Sequence, residues 1–440
     1  MKTTFRLPAL PLALTFALAL SVAAPARAQS LPGWGRVSLF GMMQSVKYDD
    51  GTTRNFNELN GGITIKSKTA DEGGIEYAID ARASTYPGSG RSSQSSLYEA
   101  WVGGRTKGGV WTLRLGQMYL TELGALGSFG GLMAEVKVPG TTPLGRFRFG
   151  LFGGLEPKFW DVGFASDVKK GGVWAALDGE VNRHHVLGWV VVKNGSLTER
   201  SVVTLTNFVP VGRNFFLYQA AEYDATGPGG AGSGGLNFFF ANARLNVSEG
   251  VELTATYHRG RSIDARSISN DIRAGRPVDQ KSLDGFLYES VGGRVQVEVF
   301  KNVRVFAGYY NDRNNFEDVR TGRINAGLWT SNILGTGFDF TLSDNRVQKT
   351  GAGYDAWWAS LGHNIGPKVY VSLDYSTSLS TVTITDAGGI TVTNRPRTKR
   401  YSLNGNWNVS RHFSLFFNAE QLRDDSSRDN RGLLGLNYRF

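Results

Sequence analysis

Cysteine is missing from all 440 residues, which removes disulfides, thiolate metal sites and cysteine nucleophiles together. Proline is sparse at 13 and histidine sparser at 5. After the N-terminal segment no apolar stretch reaches the roughly eighteen residues of a membrane-spanning helix. The formal charge is +10, yet no run of five basic residues exists to hold nucleic acid. The densest basic stretch, "RPRTKR" (Arg395 to Arg400), reads as an exposed loop.

The N-terminus sets the compartment. "MKTTFRLPALPLALTFALALSVAAPARAQS" places Lys2 and Arg6 before an apolar stretch and closes on Ala26-Arg27-Ala28, a small-x-small cleavage site. Residues 1–28 are therefore expected to be a cleaved signal peptide, and 29–440 one mature domain. Lys2, Arg6 and Arg27 leave with the signal, so the mature charge is 10 − 3 = +7. Without a cysteine after the apolar segment, no thioether-linked lipid anchor forms. An exported chain without disulfides must take its stability from packing, backbone pairing or lipid.

The chain is rich in glycine (57), Phe (26), Tyr (16) and Trp (10), while mean hydropathy stays at −0.23. The reason is alternation. "GGIEYAIDARAST" sets Ile75, Tyr77, Ile79, Ala81 and Ala83 against Glu76, Asp80 and Arg82. "VWTLRLGQ", "GRFRFGLFGG", "VELTATYHRG" and "KVYVSLDYS" repeat the scheme. Period two over segments of about ten residues is the signature of membrane-barrel strands, with one face to lipid and one to water. A soluble sandwich would also alternate. However, Trp407, Tyr401, Tyr375 and Tyr257 fall at strand ends on the apolar face, as an interfacial girdle requires. No linker breaks the pattern either.

The fold class predicted is all-β, a transmembrane antiparallel β-barrel. The fullest parse gives about 22 strands and merging its weaker segments about 18; a barrel of about 16 is also compatible. Tight links such as "NVSEGVE", "VFKNVRV", "NIGPKVY" and "NVSRHFS" alternate with longer polar ones, including "DATGPGGAGSGG" and the stretch Arg261 to Ser290. The first set is expected at a periplasmic rim and the second at an extracellular one. The first strand, "RVSLFGMMQSVKY", begins soon after the cleavage site, leaving no room for an N-terminal plug. The chain ends on "GLNYRF", whose last side chain, Phe440, is expected to face lipid.

Three stretches resemble the general Gram-negative porins: "RVSLFGMMQSVKY", "SLYEAWVGGRTKGGVWTLRLGQ" ending at Gln117, and the terminal "GLNYRF". The resemblance implies an outer-membrane location and passive transport of small hydrophilic solutes. It also implies a homotrimer and recognition of Phe440 by the outer-membrane assembly machinery. The family's inward-folding constriction loop corresponds to residues 118–144, which lack the family's "P-E-F-G-G" form.

A pore needs a hydrated lumen, a constriction and a field, and no catalytic group, cofactor or metal. Parity places Arg82, Arg114, Arg146 and Arg148 on the lumen side of neighbouring strands. Glu122 and Glu135, from residues 118–144, would face them across a narrow gap if that segment folds inward. The competing reading pairs the arginines within the wall, with Glu76, Asp80 and Glu99. The basic balance points to a mild anion preference. The expected function is thus an outer-membrane channel rather than an enzyme. The alternatives are an adhesin or structural barrel, a barrel hydrolase using His258 with Ser262, or a sugar channel using Trp101, Trp174, Phe238 and Phe240. His184 and His185 lack a nearby third ligand for a metal.

Overall fold

Alternating β-branched and aromatic residues separated by glycine-bearing turns leave strands as the only repeating way to satisfy the backbone here. The computed structural model describes residues 33–68, 73–158, 161–180, 183–231, 233–317, 319–349, 352–385 and 391–440. The expected signal, 1–28, lies outside them.

The chain runs through β1 (Gly33–Tyr48), β2 (Thr53–Ser67), β3 (Gly74–Thr85), β4 (Gln94–Arg105), β5 (Trp111–Tyr119), β6 (Ser128–Lys137), β7 (Arg146–Pro157) and β8 (Phe164–Asp178). Next come β9 (His184–Asn194), β10 (Leu197–Val211), β11 (Phe215–Thr226), β12 (Ser233–Ser248), β13 (Val251–Ser262), β14 (Phe286–Phe300) and β15 (Val303–Asn314). The last are β16 (Thr321–Thr330), β17 (Phe338–Lys349), β18 (Ala352–Ile365), β19 (Val369–Thr385), β20 (Thr391–Asn394), β21 (Arg397–Asn408), β22 (Phe413–Arg423) and β23 (Ser427–Arg439). β20 and β21 both pair with β19 and form one stave interrupted at Arg395-Pro396, where proline removes a ladder donor. The result is a closed antiparallel barrel of 22 strands, which excludes the expectation of 16 and meets the fullest parse.

Closure is made by β1 against β23, from Arg36 opposite Arg439 to Tyr48 opposite Ser427. Phe440 extends this ladder: its N–H donates to the Gly35 carbonyl at 3.0 Å and its own carbonyl accepts from Gly35 N–H at 2.9 Å. Gly35 lies beneath the Phe440 ring, where any Cβ would collide with it. Both ends of the barrel therefore meet at one rim, the terminal rim.

The four tight links foreseen above all fall on the terminal rim, and the longer polar ones on the opposite, loop rim. Several of the longer ones are mostly taken up by strand extension, β19 running to Thr385. The exception is the β13–β14 connection. There the structure places helices, Ala265–Arg273 and Gln280–Asp284, where sequence reasoning expected only loop. Asp264 and Asp279 cap them, accepting from Ser267 and Ser282 N–H.

Parity holds around the outside. Ile75, Leu115, Leu434 and Met43 point outward and are 76%, 60%, 64% and 71% exposed. Such exposure of aliphatic side chains on every wall is what a lipid-facing band requires. Inside, the reading needs correction. On β6 to β10 part of the inward face is apolar: Phe129, Met133, Phe152, Trp174, Val186, Val190 and Val202 are buried in one cluster. The cause is the β5–β6 connection, which folds into the barrel and shields that wall from water.

Candidate functional site

Residues 118–144 do not form one loop. Met118 and Tyr119 end β5, Leu120 leads into the short 3-10 segment Thr121–Gly127 that folds inward, Ser128–Lys137 is β6, and residues 138–144 turn at the terminal rim. The inward loop is pinched at its base by Leu120 N–H donating to the Gly127 carbonyl at 3.0 Å. Leu120, Leu123 and Leu126 plug into the buried cluster. Leu123 rests on Gly188 of β9, where a Cβ would come within 2.4 Å of its methyl group. The loop thus sits on the wall because its leucines are covered there and because one glycine leaves the space.

Glu122 reaches Arg148 on β7 at 3.0 Å, and the same guanidinium meets Glu135 at 3.0 Å and Asp178 on β8. His184 closes the group with Nδ1 2.7 Å from Asp178. Arg148 also lies 5.2 Å from the Trp174 ring centroid. The predicted gap between the Glu122 carboxylate and the arginine wall is therefore absent: acid and base are in direct contact. Arg148 is mostly buried, so this is a desolvated charge cluster that holds the loop.

The other predicted residues divide among separate groups. Arg114 donates to Glu76 at 2.9 Å, Arg105 lies 3.1 Å from the same carboxylate, and Trp101 stacks under Arg114 at 4.5 Å. Glu99 pairs with Lys66. Arg82 stands 3.8 Å from Asp80 and 4.6 Å from the Tyr98 ring, and it is solvent-exposed. Arg146 lies exposed at the terminal rim opposite Asp178, with no ion pair among the described residues. The nine candidates do not converge on one eyelet. Sequence reasoning missed Arg105, Asp178 and Lys66 and weighed His184 only as a metal ligand, although parity alone could have placed all four on the same inner faces.

A second inward assembly sits at the loop rim. Arg266 of the helix Ala265–Arg273 bridges Glu156 at 2.8 Å and Glu199, and Lys170 completes the group 3.4 Å from Glu156. Asn270 accepts from Asn194 at 2.9 Å, while Ile268 and Ser269 are buried. Gly229 of the β11–β12 connection, in the left-handed region at φ 64°, lies where a Cβ would be 2.7 Å from Ile272. The glycine tract of "DATGPGGAGSGG" thus makes room for the docked helix.

Between these obstructions the barrel is unfilled. A cavity of about 820 Å³ opens along β1 to β4, lined by Arg36, Glu58, Arg82, Arg91, Tyr98 and Asn437. Another of about 640 Å³ lies beside the inward loop, against Thr121, Arg200, Glu222, Tyr218 and Phe238. The four lumen aromatics do not form one track: Trp101 and Trp174 stack on arginines, while Phe238 and Phe240 pack against His258. His258 is ringed by Phe238, Phe240 and Tyr288, and among the described residues no hydrogen bond joins it to Ser262. His184 and His185 open β9, bonded to Asp178 and Asn207.

No known protein-family profile matches the chain, and no curated protein matches it. Solved structures of similar shape include Pseudomonas aeruginosa OpdQ, at 9% identity over 93% of this chain and 98% of that one, with a TM-score of 0.44. Pseudomonas aeruginosa OccK2 (OpdF) matches at 11% identity over 94% and 99%, TM-score 0.44. Acinetobacter baumannii OccAB4 matches at 9% identity over 94% and 99%, TM-score 0.43.

Proposed function

We propose that the protein is an outer-membrane channel of a Gram-negative bacterium through which small hydrophilic solutes diffuse passively. The observation that carries this reading is a closed barrel, apolar outside, whose lumen keeps open polar space beside an inward-folded loop. The loop Thr121–Gly127 and the helix Ala265–Arg273 narrow the lumen from one side, so solutes pass along the polar wall of β1 to β4.

That wall favours anions. Arg36 and Arg91 make no ion pair among the described residues, Arg82 is held only loosely by Asp80, and Glu58 is the acid among them, bonded to Asn60. The expectation of a mild anion preference follows from this imbalance. Liposomes carrying the refolded mature chain should swell in sugars at rates that fall with solute size; no swelling in any sugar refutes passive transport. Reversal potentials in a salt gradient should show anion preference, and cation preference removes that part of the reading.

A further inference from the structure

The basic stretch Arg395 to Arg400 is divided by the barrel wall. Arg400 turns inward onto Glu420, whereas Lys399 turns outward with Tyr401 and Leu403. Lys399 lies opposite Arg423 on β22, Arg423 opposite Arg428 on β23, and Arg428 opposite Lys47 on β1. All four are exposed and share the outward parity of Leu403, Phe417, Leu434 and Met43. Thr377 and Thr53 end the row on either side.

Like charges directly opposite destabilise a sheet, and here three such pairs stand in succession. None of the four makes an ion pair among the described residues; Arg423 donates to Gln421 at 2.7 Å. The carboxylates of the adjoining turns are engaged with the backbone. Asp424 accepts from Ser426 and Ser427 N–H, Asp50 from Thr52 N–H, and Asp425 from Arg397 N–H. Asp49 stands beyond the row, on the β1–β2 turn. Elsewhere on the outer face some charges are balanced, Glu289 lying opposite both Arg259 and Arg313 and Arg346 meeting Asp344 and Asp355, while Lys169 opposite Lys193 is a shorter couple, unpaired among the described residues. The row of four is longer than that couple and runs across four adjoining strands.

Its depth identifies what it meets. The last apolar row, Leu403, Ala419, Gly432 and Met43, lies four residues below, about 13 Å along the strands. With a strand tilt of about 45° that is roughly 9 Å along the membrane normal, within the headgroup layer. Three strand spacings spread the four charges over about 14 Å of perimeter. Guanidinium forks and lysine ammoniums in such a row match phosphate oxygens.

We propose that Lys47, Lys399, Arg423 and Arg428 form a binding site for the phosphate groups of an anionic lipid in the leaflet at the loop rim. The proposal rests on the membrane-channel reading. The test is native mass spectrometry of the full mature barrel in detergent. The probes are a glycolipid bearing two phosphates on a glucosamine disaccharide and its phosphate-free analogue. Wild type should retain the phosphorylated probe at least tenfold more tightly, and the quadruple variant K47Q/K399Q/R423Q/R428Q should lose that preference while conducting as wild type does. Equal retention by wild type and a conducting variant overturns the site. Displacement of the glycolipid by an equal concentration of inorganic phosphate shows a free-anion site and overturns the lipid assignment. A chain that stays monodisperse without detergent overturns the membrane reading as well, which separates the two failures.

Discussion

Leu434 and Asn430 point outward from the same strand, four residues apart, and differ in what surrounds them. Leu434 stands beside Phe417 and Gly41 in the apolar band, whereas Asn430 lies with Gln421 and Ser45 near the loop rim. An arginine at Leu434 should cost about 2–4 kcal/mol and one at Asn430 no more than about 1 kcal/mol, measured by denaturant titration of the folded barrel in lipid. Equal costs would mean that the outer face meets water at both levels. On the inner face, Arg148→Ala would leave Glu122, Glu135 and Asp178 together without their shared cation. The expected loss is about 3–5 kcal/mol, with the reversal potential in a salt gradient shifting toward cations. An unchanged potential would show that this cluster does not face the permeation path.

At the scale of elements, strand identity and facing were legible because period-two alternation is written locally in stretches such as "GGIEYAIDARAST". The inward loop was less so. Its place in the chain was foreseen, but its cover was not, although "HHVLGWVVVKN" carries a signal: Val186, Val190 and Val192 on one face, Leu187, Trp189 and Val191 on the other. A strand apolar on both faces is buried on both faces. Inside the barrel Leu120, Leu123 and Leu126 help fill that requirement, in one buried cluster with these valines. The loop helix was hidden for another reason: it spans only nine residues inside a long polar connection, and its docking depends on distant partners such as Glu156 and Glu199. Gly188→Val tests the loop seat. The added side chain collides with Leu123, should cost about 1–3 kcal/mol, and should raise single-channel conductance by lifting the loop. A stable variant with unchanged conductance would show that the seat does not set the constriction.

For the whole molecule, the barrel and its two distinct rims could be read from composition, link length and alternation. The strand count could only be bracketed, since the break at Arg395-Pro396 and the short connections at Asn194–Leu197 blur where one stave ends. The single eyelet was not there to be found. Parity tells which face a residue occupies but not its height, so Arg82, Arg114 and Arg148 were grouped although their partners lie in separate clusters. The most direct measurement is planar-bilayer recording of the refolded mature chain beside a variant lacking residues 120–127. The first should give stable, discrete conductance steps and the second larger ones. A folded barrel that leaves the bilayer silent, or steps of the same size with and without the loop, contradicts that expectation.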